Sequence, residues 1–441
     1  MTTSPPGPLA GSLDQLARLE PKRLAGRVTE LCGLVVRALV PQVRTGDLVR
    51  IRTGYGPLLA EVVGFTGDEA VLMPLGEPRG LGPQCEVEPT GRPLAIRCGE
   101  ALLGRIIDGL GAPMDGLPPP DPAGLEEWAV DRAAPDPLRR ARITAPLALG
   151  VRPIDGLLTV GEGQRIGLFA GSGVGKSTLL GQIAQNADAD VNVICLCGER
   201  GREVREFLEE SLGAAGRARS VVVCATSDTP SLVRLKSAFV ATAVAEWFRD
   251  RGRRVLFLLD SVTRLARAQR EVGLAAGEPP ARQGYPPSVF ATLPRLLERT
   301  GNGERGSITA IYTVLVAGGD MEEPIADEVR GILDGHIVLS RALGARGHWP
   351  AIDVLDSVSR VMGAVIDPEH GRAAARLRAL LAAYEQKRDL IQLGAYRPGA
   401  DATTDEAIAR HPDIEAFLRQ GLGERPTLAD TRARLCALLP G

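Results

Sequence analysis

A glycine-rich segment near the middle of the chain, residues 170–177 (AGSGVGKS), has the composition and spacing of a phosphate-binding loop. Its three glycines permit backbone conformations that turn several N–H groups towards phosphate oxygens. Lys176 would bring a positive charge to the β- and γ-phosphates of a nucleotide, and the Ser177 hydroxyl would bind Mg²⁺. The sequence therefore predicts a site for ATP and Mg²⁺. The residues predicted to hold the phosphates are Gly171, Ser172, Gly173, Val174, Gly175, Lys176, Ser177 and Thr178.

Two carboxylates follow this loop at the ends of apolar segments. Asp260 ends the run VLFLLD, and a carboxylate in that position can hold Mg²⁺ through a water. Glu199 comes just after the apolar run that ends at Cys197, and it is the candidate for polarising the attacking water, which is a poor nucleophile near neutral pH. The adjacent Arg200 could contact the γ-phosphate. The local sequence fits a charged surface turn at Glu199 and Arg200 equally well.

These residues need strands and helices to position them, and both types of element alternate along the chain from about residue 150. A helix is predicted directly after the loop at Ser177–Asn186, with Leu179, Leu180 and Ile183 on one face. Alternation of this kind predicts an α/β layer fold. The strands predicted for this region are Gln164–Ala170, Val191–Cys197, Ser220–Ala225, Val255–Leu259, Ile308–Val316 and His336–Ser340.

The segments that flank this region have other patterns. Short apolar runs separated by turn residues, among them Leu31–Val36 and Leu48–Ile51, predict a small β-barrel or sandwich. Residues 101–137 are rich in Gly and Pro, which predicts a linker or an extended crossing segment. The strands stop after about residue 371, where Ala373–Leu393 predicts a helix that ends before Gly394. The expected domains are an N-terminal arm at 1–24, a β-barrel at 25–95, an ATPase domain at 96–370 and a C-terminal helical domain at 371–441.

Composition narrows the possible functions. The net charge of −2 argues against a protein whose main ligand is nucleic acid, because neutralising phosphates needs an excess of Lys and Arg. No run of about 18 apolar residues predicts a membrane-spanning helix, and the first residues lack the pattern of a secretory signal. The seven cysteines are scattered and contain no C-x-x-C pair, which favours a reducing compartment over a disulfide framework or a zinc site. A cytoplasmic location is therefore predicted.

Three long blocks of sequence resemble those of a known family. They are Ile166–Thr178, Asp260–Arg299 and Gly306–Met362, and the third includes DEVRGILDGHIVLSR and HWPAIDVLDSVSRVM. Over residues 25–435 the chain resembles the type III protein-export ATPases of the flagellar export apparatus and of the injectisome, which are similar to the catalytic subunits of rotary ATP synthases. The resemblance implies a RecA-like P-loop core with a small N-terminal β-barrel and a C-terminal helical domain. It also implies Mg²⁺-dependent ATP hydrolysis that drives protein export through chaperone release and substrate unfolding.

The resemblance also assigns roles to single residues. Glu199 falls where the catalytic glutamate of the family is expected, and Asp260 falls where its second carboxylate is expected. Arg360 falls at the position of the arginine finger, which would reach the γ-phosphate bound by the neighbouring subunit and stabilise charge in the transition state. Trp349 lies where the family usually has a Tyr that packs on adenine, and Tyr396 is a second candidate for an adenine contact.

Partners are implied in the same way. The resemblance implies a ring of six identical chains, with a stalk protein in the pore of the ring. It further implies a regulator or stator protein and chaperone–substrate complexes as partners, no nucleic acid, and a peripheral position at the export gate of the inner membrane. Residues 276–287, which are rich in Gly, Pro and Ala, could line a pore or form a plain surface loop.

Three other functions are compatible with parts of the sequence. The first is the catalytic subunit of an ion-translocating rotary ATPase, although Ala382–Asp389 lacks the strongly acidic helical turn of those subunits. The second is a Rho-like RNA translocase, which the net charge and the scarcity of aromatic residues in the barrel segment, where only Tyr55 and Phe65 occur, disfavour. The third is a nucleotide-binding subunit without hydrolysis, which the carboxylate of Glu199 disfavours. The sequence does not separate a flagellar from an injectisome ATPase.

Overall fold

The computed structural model describes residues 24–439. The predicted N-terminal arm at 1–24 lies outside the described residues except for Leu24. The chain divides into two compact units, one that ends at Pro93 and one that begins at Leu94. The C-terminal helices belong to the second unit together with the nucleotide-binding region, so they do not form a separate compact unit. Among residues 24–439 no helix combines the length and the apolar character needed to cross a lipid bilayer.

The first unit is a closed barrel of six antiparallel strands. The strands are β1 (Gly26–Cys32), β2 (Val35–Leu39), β3 (Asp47–Thr53), β4 (Gly56–Thr66), β5 (Glu69–Pro74) and β6 (Glu86–Pro93). Their order around the barrel is β1-β2-β5-β4-β3-β6, and their inward-facing Val, Ile, Leu and Ala side chains form a separate apolar core. The apolar run Leu31–Val36 is divided between two strands, because Gly33 adopts a φ of 59° in a turn that separates β1 from β2.

The second unit contains a nine-stranded sheet and a two-stranded sheet. The order of the large sheet is β17-β16-β10-β15-β13-β11-β12-β8, with β14 paired to β15, and all neighbours in that order are parallel except β16 and β17. The strands are β7 (Ala95–Cys98), β8 (Ile106–Asp108), β9 (Glu126–Ala129), β10 (Arg165–Ala170), β11 (Val191–Glu199), β12 (Ser220–Thr226), β13 (Arg254–Asp260), β14 (Gly301–Asn302), β15 (Ser307–Leu315), β16 (Gly335–Leu339) and β17 (Ile352–Ser359).

The helices cover both faces of the large sheet and continue to the C-terminus. Every residue of β11 is buried, as expected of a parallel strand covered on both faces. The helices are α1 (Arg152–Leu157), α2 (Lys176–Asn186), α3 (Gly201–Glu206), a π-helix (Phe207–Leu212), α4 (Gly213–Ala218), α5 (Ser231–Arg249), α6 (Val262–Ala275), α7 (Pro287–Leu297), α8 (Pro324–Ile332), α9 (Arg341–Ala345), α10 (Met362–Val365), α11 (Pro368–Gln392), α12 (Ala402–Leu418) and α13 (Leu428–Leu438).

The predicted fold class is confirmed: a β-barrel, a nucleotide-binding α/β region and a C-terminal helical region are all present. The six strands predicted for the α/β region differ from the observed strands by at most two residues at either end. The prediction of a linker at 101–137 is partly wrong, because β8 joins the edge of the large sheet and β9 pairs with β7. The predicted helix at Ala373–Leu393 begins earlier, at Pro368, because the Asp367 side chain accepts hydrogen bonds from the N–H groups of the first turn.

Candidate nucleotide-binding site

The phosphate-binding loop connects β10 to α2 at the carboxyl edge of the large sheet. Gly173 and Gly175 have φ values of 75° and 77°, which side chains on L-residues rarely permit. Gly171 does not need such a φ; instead, a Cβ atom at this position would lie 3.2 Å from a guanidinium nitrogen of Arg341. The prediction that backbone freedom explains all three glycines is therefore wrong for Gly171.

Three of the predicted site residues are far apart in the sequence but meet beside this loop. Lys176, the first residue of α2, forms an ion pair with Asp260 at the end of β13. Its Nζ atom also lies 3.7 Å from Oε1 of Glu199, at the end of β11. Because β11 and β13 are neighbouring parallel strands, their carboxyl ends bring both carboxylates to the same edge of the sheet. All three side chains are largely buried.

Two further residues of this site were not predicted from the sequence. Arg264 forms an ion pair with Glu199 from the first turn of α6, where the Ser261 side chain caps the helix by accepting from the Arg264 N–H at 3.3 Å. Thr313 of β15 donates its hydroxyl to Oδ1 of Asp260 at 2.8 Å. The spacing of four residues between Asp260 and Arg264, across a Ser cap, could have indicated Arg264. No local pattern marks Thr313, since only the pairing of β13 with β15 places it there.

The carboxyl group of Glu199 is in an unusual environment. Burial, followed by the negative charge of Asp260 and the interaction with the Glu203 carboxyl group, raises the pKa of Glu199 to about 7, against the lowering effect of the two cations. Its Oε2 atom is buried and accepts no hydrogen bond from the described residues. A carboxylate with a pKa near neutrality and an unused oxygen can accept a proton from water, which suits a general base.

A cavity of about 370 Å³ lies next to the loop and has mainly apolar walls. Trp349 packs against the loop, since a Cβ atom on Gly175 would come within 2.9 Å of the indole. Leu422, between α12 and α13, forms another part of the cavity wall and was not predicted from the sequence. An apolar cavity beside a phosphate-binding loop suits a nucleotide base, which can stack on an aromatic side chain. The lining residues are Val174, Gly175, Thr178, Leu179, Gln182, Leu339, Trp349, Pro350, Ala351, Gln420, Gly421 and Leu422.

Two predicted site residues lie away from the loop and the cavity. Tyr396 does not line the cavity; its hydroxyl donates to the carboxylate of Asp405 at 3.0 Å at the start of α12. Arg200 precedes α3 and points to solvent, where its guanidinium lies 3.2 Å from Glu203. Within a single chain, neither side chain therefore contacts the candidate nucleotide site.

Arg360 lies at the opposite edge of the sheet from the loop. β17 runs antiparallel to β16, with Ile352 opposite Leu339 and Ser359 opposite Gly335. The loop follows the strand end at which Ala170 pairs with Leu339. Arg360 therefore follows the far end of β17, about 13 Å along the strand direction from that edge. Its side chain is exposed and donates weakly to the Arg330 carbonyl at 3.4 Å, so it cannot serve the loop of its own chain.

Three family models match consecutive parts of the chain. The nucleotide-binding domain of the ATP synthase alpha/beta family matches residues 150–359, and the β-barrel domain of the same family matches residues 28–91. The C-terminal domain of the type III secretion ATPase EscN matches residues 366–437. The matched segments correspond to the barrel, the large sheet with its loop, and the C-terminal helices.

Similar proteins cover almost the whole chain. It is 56% identical over 409 residues to the type 3 secretion system ATPase of Xanthomonas euvesicatoria, with 92% of each chain covered. It is 53% identical over 416 residues to the flagellum-specific ATP synthase of Bacillus subtilis, with 94% of each covered. Two structures of assembled EscN from the type III secretion system of enteropathogenic E. coli, the second in complex with its central stalk EscO, match with TM-scores of 0.89 and 0.87. Each is 47% identical and covers 94% of this chain and 99% of its own.

The geometry of the candidate site and the similar proteins indicate the same kind of enzyme. Relatives of both kinds, from secretion systems and from flagella, align from the barrel to the C-terminal helices, and the rotary-ATPase alternative is not favoured because these relatives are export ATPases. The geometry of Lys176, Glu199 and Asp260 on the phosphate-binding loop is that of an enzyme that hydrolyses a nucleotide. The chain therefore belongs to the type III export ATPases, the ATP-hydrolysing enzymes of type III secretion and flagellar export.

Proposed function

We propose that this chain hydrolyses ATP with Mg²⁺ in a ring of six copies and thereby drives type III protein export. The observation that carries the proposal is the cluster of Lys176, Glu199 and Asp260 at the carboxyl edge of the sheet, because it joins a phosphate-binding loop to a candidate general base. The work done on cargo would be the release of chaperones and the unfolding of export substrates.

Each residue of the cluster has a distinct role in this proposal. The N–H groups of the loop and the ammonium group of Lys176 bind the β- and γ-phosphates. Glu199 orients the attacking water and accepts its proton, and Arg264 holds Glu199 in place through the ion pair between them. Asp260 is fixed by the hydroxyl of Thr313. Trp349 and Leu422 hold the base.

The residues present fit a magnesium ion. Mg²⁺ prefers oxygen ligands and is usually held by one or two protein groups together with phosphates and waters. The Ser177 hydroxyl at the start of α2 and the carboxylate of Asp260 at the end of β13 supply such oxygens beside the loop. When bound, the ion would neutralise charge that develops on the phosphates.

Arg360 would act on the site of a neighbouring copy. Its exposed position at the edge opposite to the loop suits a ring in which each interface joins the loop face of one chain to the finger face of the next. Both EscN structures are described as assembled, and one of them also contains the central stalk EscO. We extend both features to this chain: a homohexamer with a stalk protein in its pore.

The remaining proposals concern location and other partners. We infer that the ring works in the cytoplasm, peripheral to the inner membrane, where it receives chaperone–substrate complexes and a regulator or stator protein. The secretion-system and flagellar relatives are similar in identity, at 56% and 53%, so the chain is proposed to serve one of these two systems without a choice between them.

The proposed chemistry can be tested by separating nucleotide binding from turnover. Glu199→Gln removes the base but keeps the size of the side chain, so MgATP binding should stay nearly unchanged while turnover falls at least about a hundredfold. Lys176→Ala should abolish hydrolysis, because the charge that binds the phosphates is lost. The measurements are binding of MgATP by calorimetry and phosphate release with and without Mg²⁺.

Glu209→Gln is the matched control for these variants. Glu209 lies in the same stretch of chain, is exposed and forms an ion pair with Arg205 at 2.7 Å, so its neutralisation should leave both binding and turnover unchanged. If Glu199→Gln loses binding and turnover to the same degree, Glu199 is a structural residue. If it keeps most of its turnover, the assignment of the base is wrong.

A further inference from the structure

His348 lies directly before Trp349 and is buried, with 2% of its surface exposed. Its Nδ1 atom lies 3.1 Å from Oε2 of Glu415, on helix α12 of the C-terminal region. We propose that His348 is a positioning residue for the nucleotide base: its hydrogen bond to Glu415 fixes the segment that carries Trp349, so that the indole stays against the phosphate-binding loop. This inference rests on the base site proposed above.

The chemistry of the pair determines which atom carries the proton. An ionised carboxylate can only accept hydrogen bonds, so Nδ1 of His348 must donate. The hydrogen bond from His348 is the main cause that lowers the pKa of Glu415, which keeps this carboxylate ionised. Arg419, one turn further along, lies 3.3 Å from the same oxygen, Oε2 of Glu415, and helps to hold it in place. A buried imidazole with this partner has a fixed ring orientation.

The Trp349 segment has a second attachment to the same part of the chain. The N–H of Gln420, just after α12, donates to the Trp349 carbonyl at 2.9 Å. The amide side chain of Gln420 accepts from the Arg152 N–H at 2.7 Å and donates to the Gly150 carbonyl at 2.8 Å. The segment is therefore held by a side chain immediately before Trp349 and by a backbone hydrogen bond at Trp349 itself, both to residues at the C-terminal end of α12.

The indole itself rests on two glycines. A Cβ atom on Gly175 of the loop or on Gly344 of α9 would come within 2.9 or 3.1 Å of its six-membered ring. Flat contacts of this kind attract the ring but do not fix its position along the surface, because dispersion has no strong directional preference. The directional hydrogen bond from the adjacent His348 to Glu415 fixes the position that these contacts leave open.

The test compares His348→Ala with His348→Asn. Removing the imidazole should raise the KM for MgATP about tenfold and leave kcat unchanged, because only the base contact is loosened. It should also reduce the change in Trp349 fluorescence on adding MgADP, with the Trp349→Phe variant used to subtract the signals of the other tryptophans. The Asn amide nitrogen can take the place of Nδ1, so His348→Asn should restore most of the affinity and of the fluorescence change.

His411→Asn is the matched control. His411 lies on the same helix as Glu415, and its ring stacks on Tyr384 with a centroid distance of 3.6 Å, so its loss should not change KM. An unchanged KM in His348→Ala overturns the proposal, as does a His348→Asn variant that is impaired as strongly as His348→Ala. The Trp349→Ala variant distinguishes a failure of the proposed base site from a failure of the positioning role of His348. If it leaves KM unchanged, the base site itself is wrong; if it raises KM while His348→Ala does not, only the positioning role is wrong.

Discussion

At the scale of single residues, the proposed hydrolysis depends on Glu199 as the general base. Its buried carboxyl group lies near two other carboxyl groups, those of Asp260 and Glu203, and near two cations, and these neighbours affect its protonation in opposite directions. A general base is most effective when its pKa is close to the working pH, because it is then both available and basic enough. The pKa of about 7 places Glu199 in this range.

The pH dependence of hydrolysis should report this pKa. The base acts only when deprotonated, so kcat should rise as the pH increases through about 7 and then level off. Arg264 lowers the pKa of Glu199, so Arg264→Ala should raise the pKa and move the rising limb to higher pH. Steady-state rates measured on both sides of neutrality check this shift.

Arg267→Ala provides the comparison for this measurement. Arg267 lies on the same helix, is exposed and makes no ion pair with Glu199. In Arg267→Ala, the rise of kcat with pH should therefore occur at the same pH as in the wild type. A limb that shifts equally in both variants would show that the general loss of positive charge, rather than the Arg264 contact, controls the titration.

At the scale of elements, a fully buried ion pair joins α5 to the chain that follows α7. Nε and Nη2 of Arg299 donate to the two oxygens of Glu246 at 2.9 and 2.7 Å, and Nη1 donates to the Val130 carbonyl at 2.8 Å. The exposed fractions of the two side chains are 0% and 1%. Each nitrogen of the Arg299 guanidinium and both oxygens of Glu246 therefore take part in hydrogen bonds across these elements.

Breaking this pair should be costly. Glu246→Ala leaves a buried guanidinium without its partner, which should lower the free energy of unfolding by about 3–5 kcal/mol. Asp131→Ala breaks the exposed pair between Asp131 and Arg295, whose effect should be below about 1 kcal/mol. Thermal unfolding of both variants gives the comparison. Similar losses of stability in the two variants would contradict the importance of burial.

At the scale of the whole molecule, the proposed site needs residues from two chains. The loop and the candidate finger, Arg360, lie at opposite edges of one sheet, and strands of this length do not bend enough to bring them together. A ring with heterologous contacts solves this geometry, since each interface then contains one loop and one finger. The finger could contribute on the order of 10³–10⁵ in rate.

Mixed rings can test the action of Arg360 on a neighbour. Arg360→Ala chains and Lys176→Ala chains should each be nearly inactive alone, but a ring that contains both has interfaces with an intact loop and an intact finger. With random mixing at equal amounts, about one quarter of the interfaces are complete, so activity should recover up to roughly that fraction. The measurement is phosphate release at several mixing ratios, with sizing of the same samples.

The double variant is the control for the mixing experiment. Chains that carry both Arg360→Ala and Lys176→Ala should give no recovery with either single variant beyond the activity of that variant. If mixed rings form but activity stays absent at every ratio, Arg360 does not act between subunits.

Local sequence was sufficient for the elements whose pattern repeats within a few residues. The phosphate-binding loop, the apolar parallel strands and the long C-terminal helix could be predicted, because glycine spacing, continuous apolar runs and helical periodicity reflect backbone physics within each segment. The short strand β8 could not be predicted from local sequence, because a strand of three residues is defined by its partner rather than by its own composition. The turn at Gly33 was not predicted either.

The candidate residues divide in the same way. Lys176, Glu199 and Asp260 follow a loop or the ends of apolar strands, so their types and places in the sequence indicated a shared site before their distances were known. Arg264, Thr313 and Leu422 reach this region only through a helix cap, a strand pairing and the packing of a C-terminal segment. Tyr396 had a suitable aromatic ring, but the fold directs it to Asp405 instead.

The sequence by itself therefore determined the chemistry of the loop, the two carboxylates and the order of barrel, sheet and helices. Only the tertiary structure decided which distant side chains complete the base cavity and on which edge of the sheet Arg360 lies. The reason is physical: local composition controls which conformation a segment adopts, whereas long-range packing and strand order control which segments become neighbours.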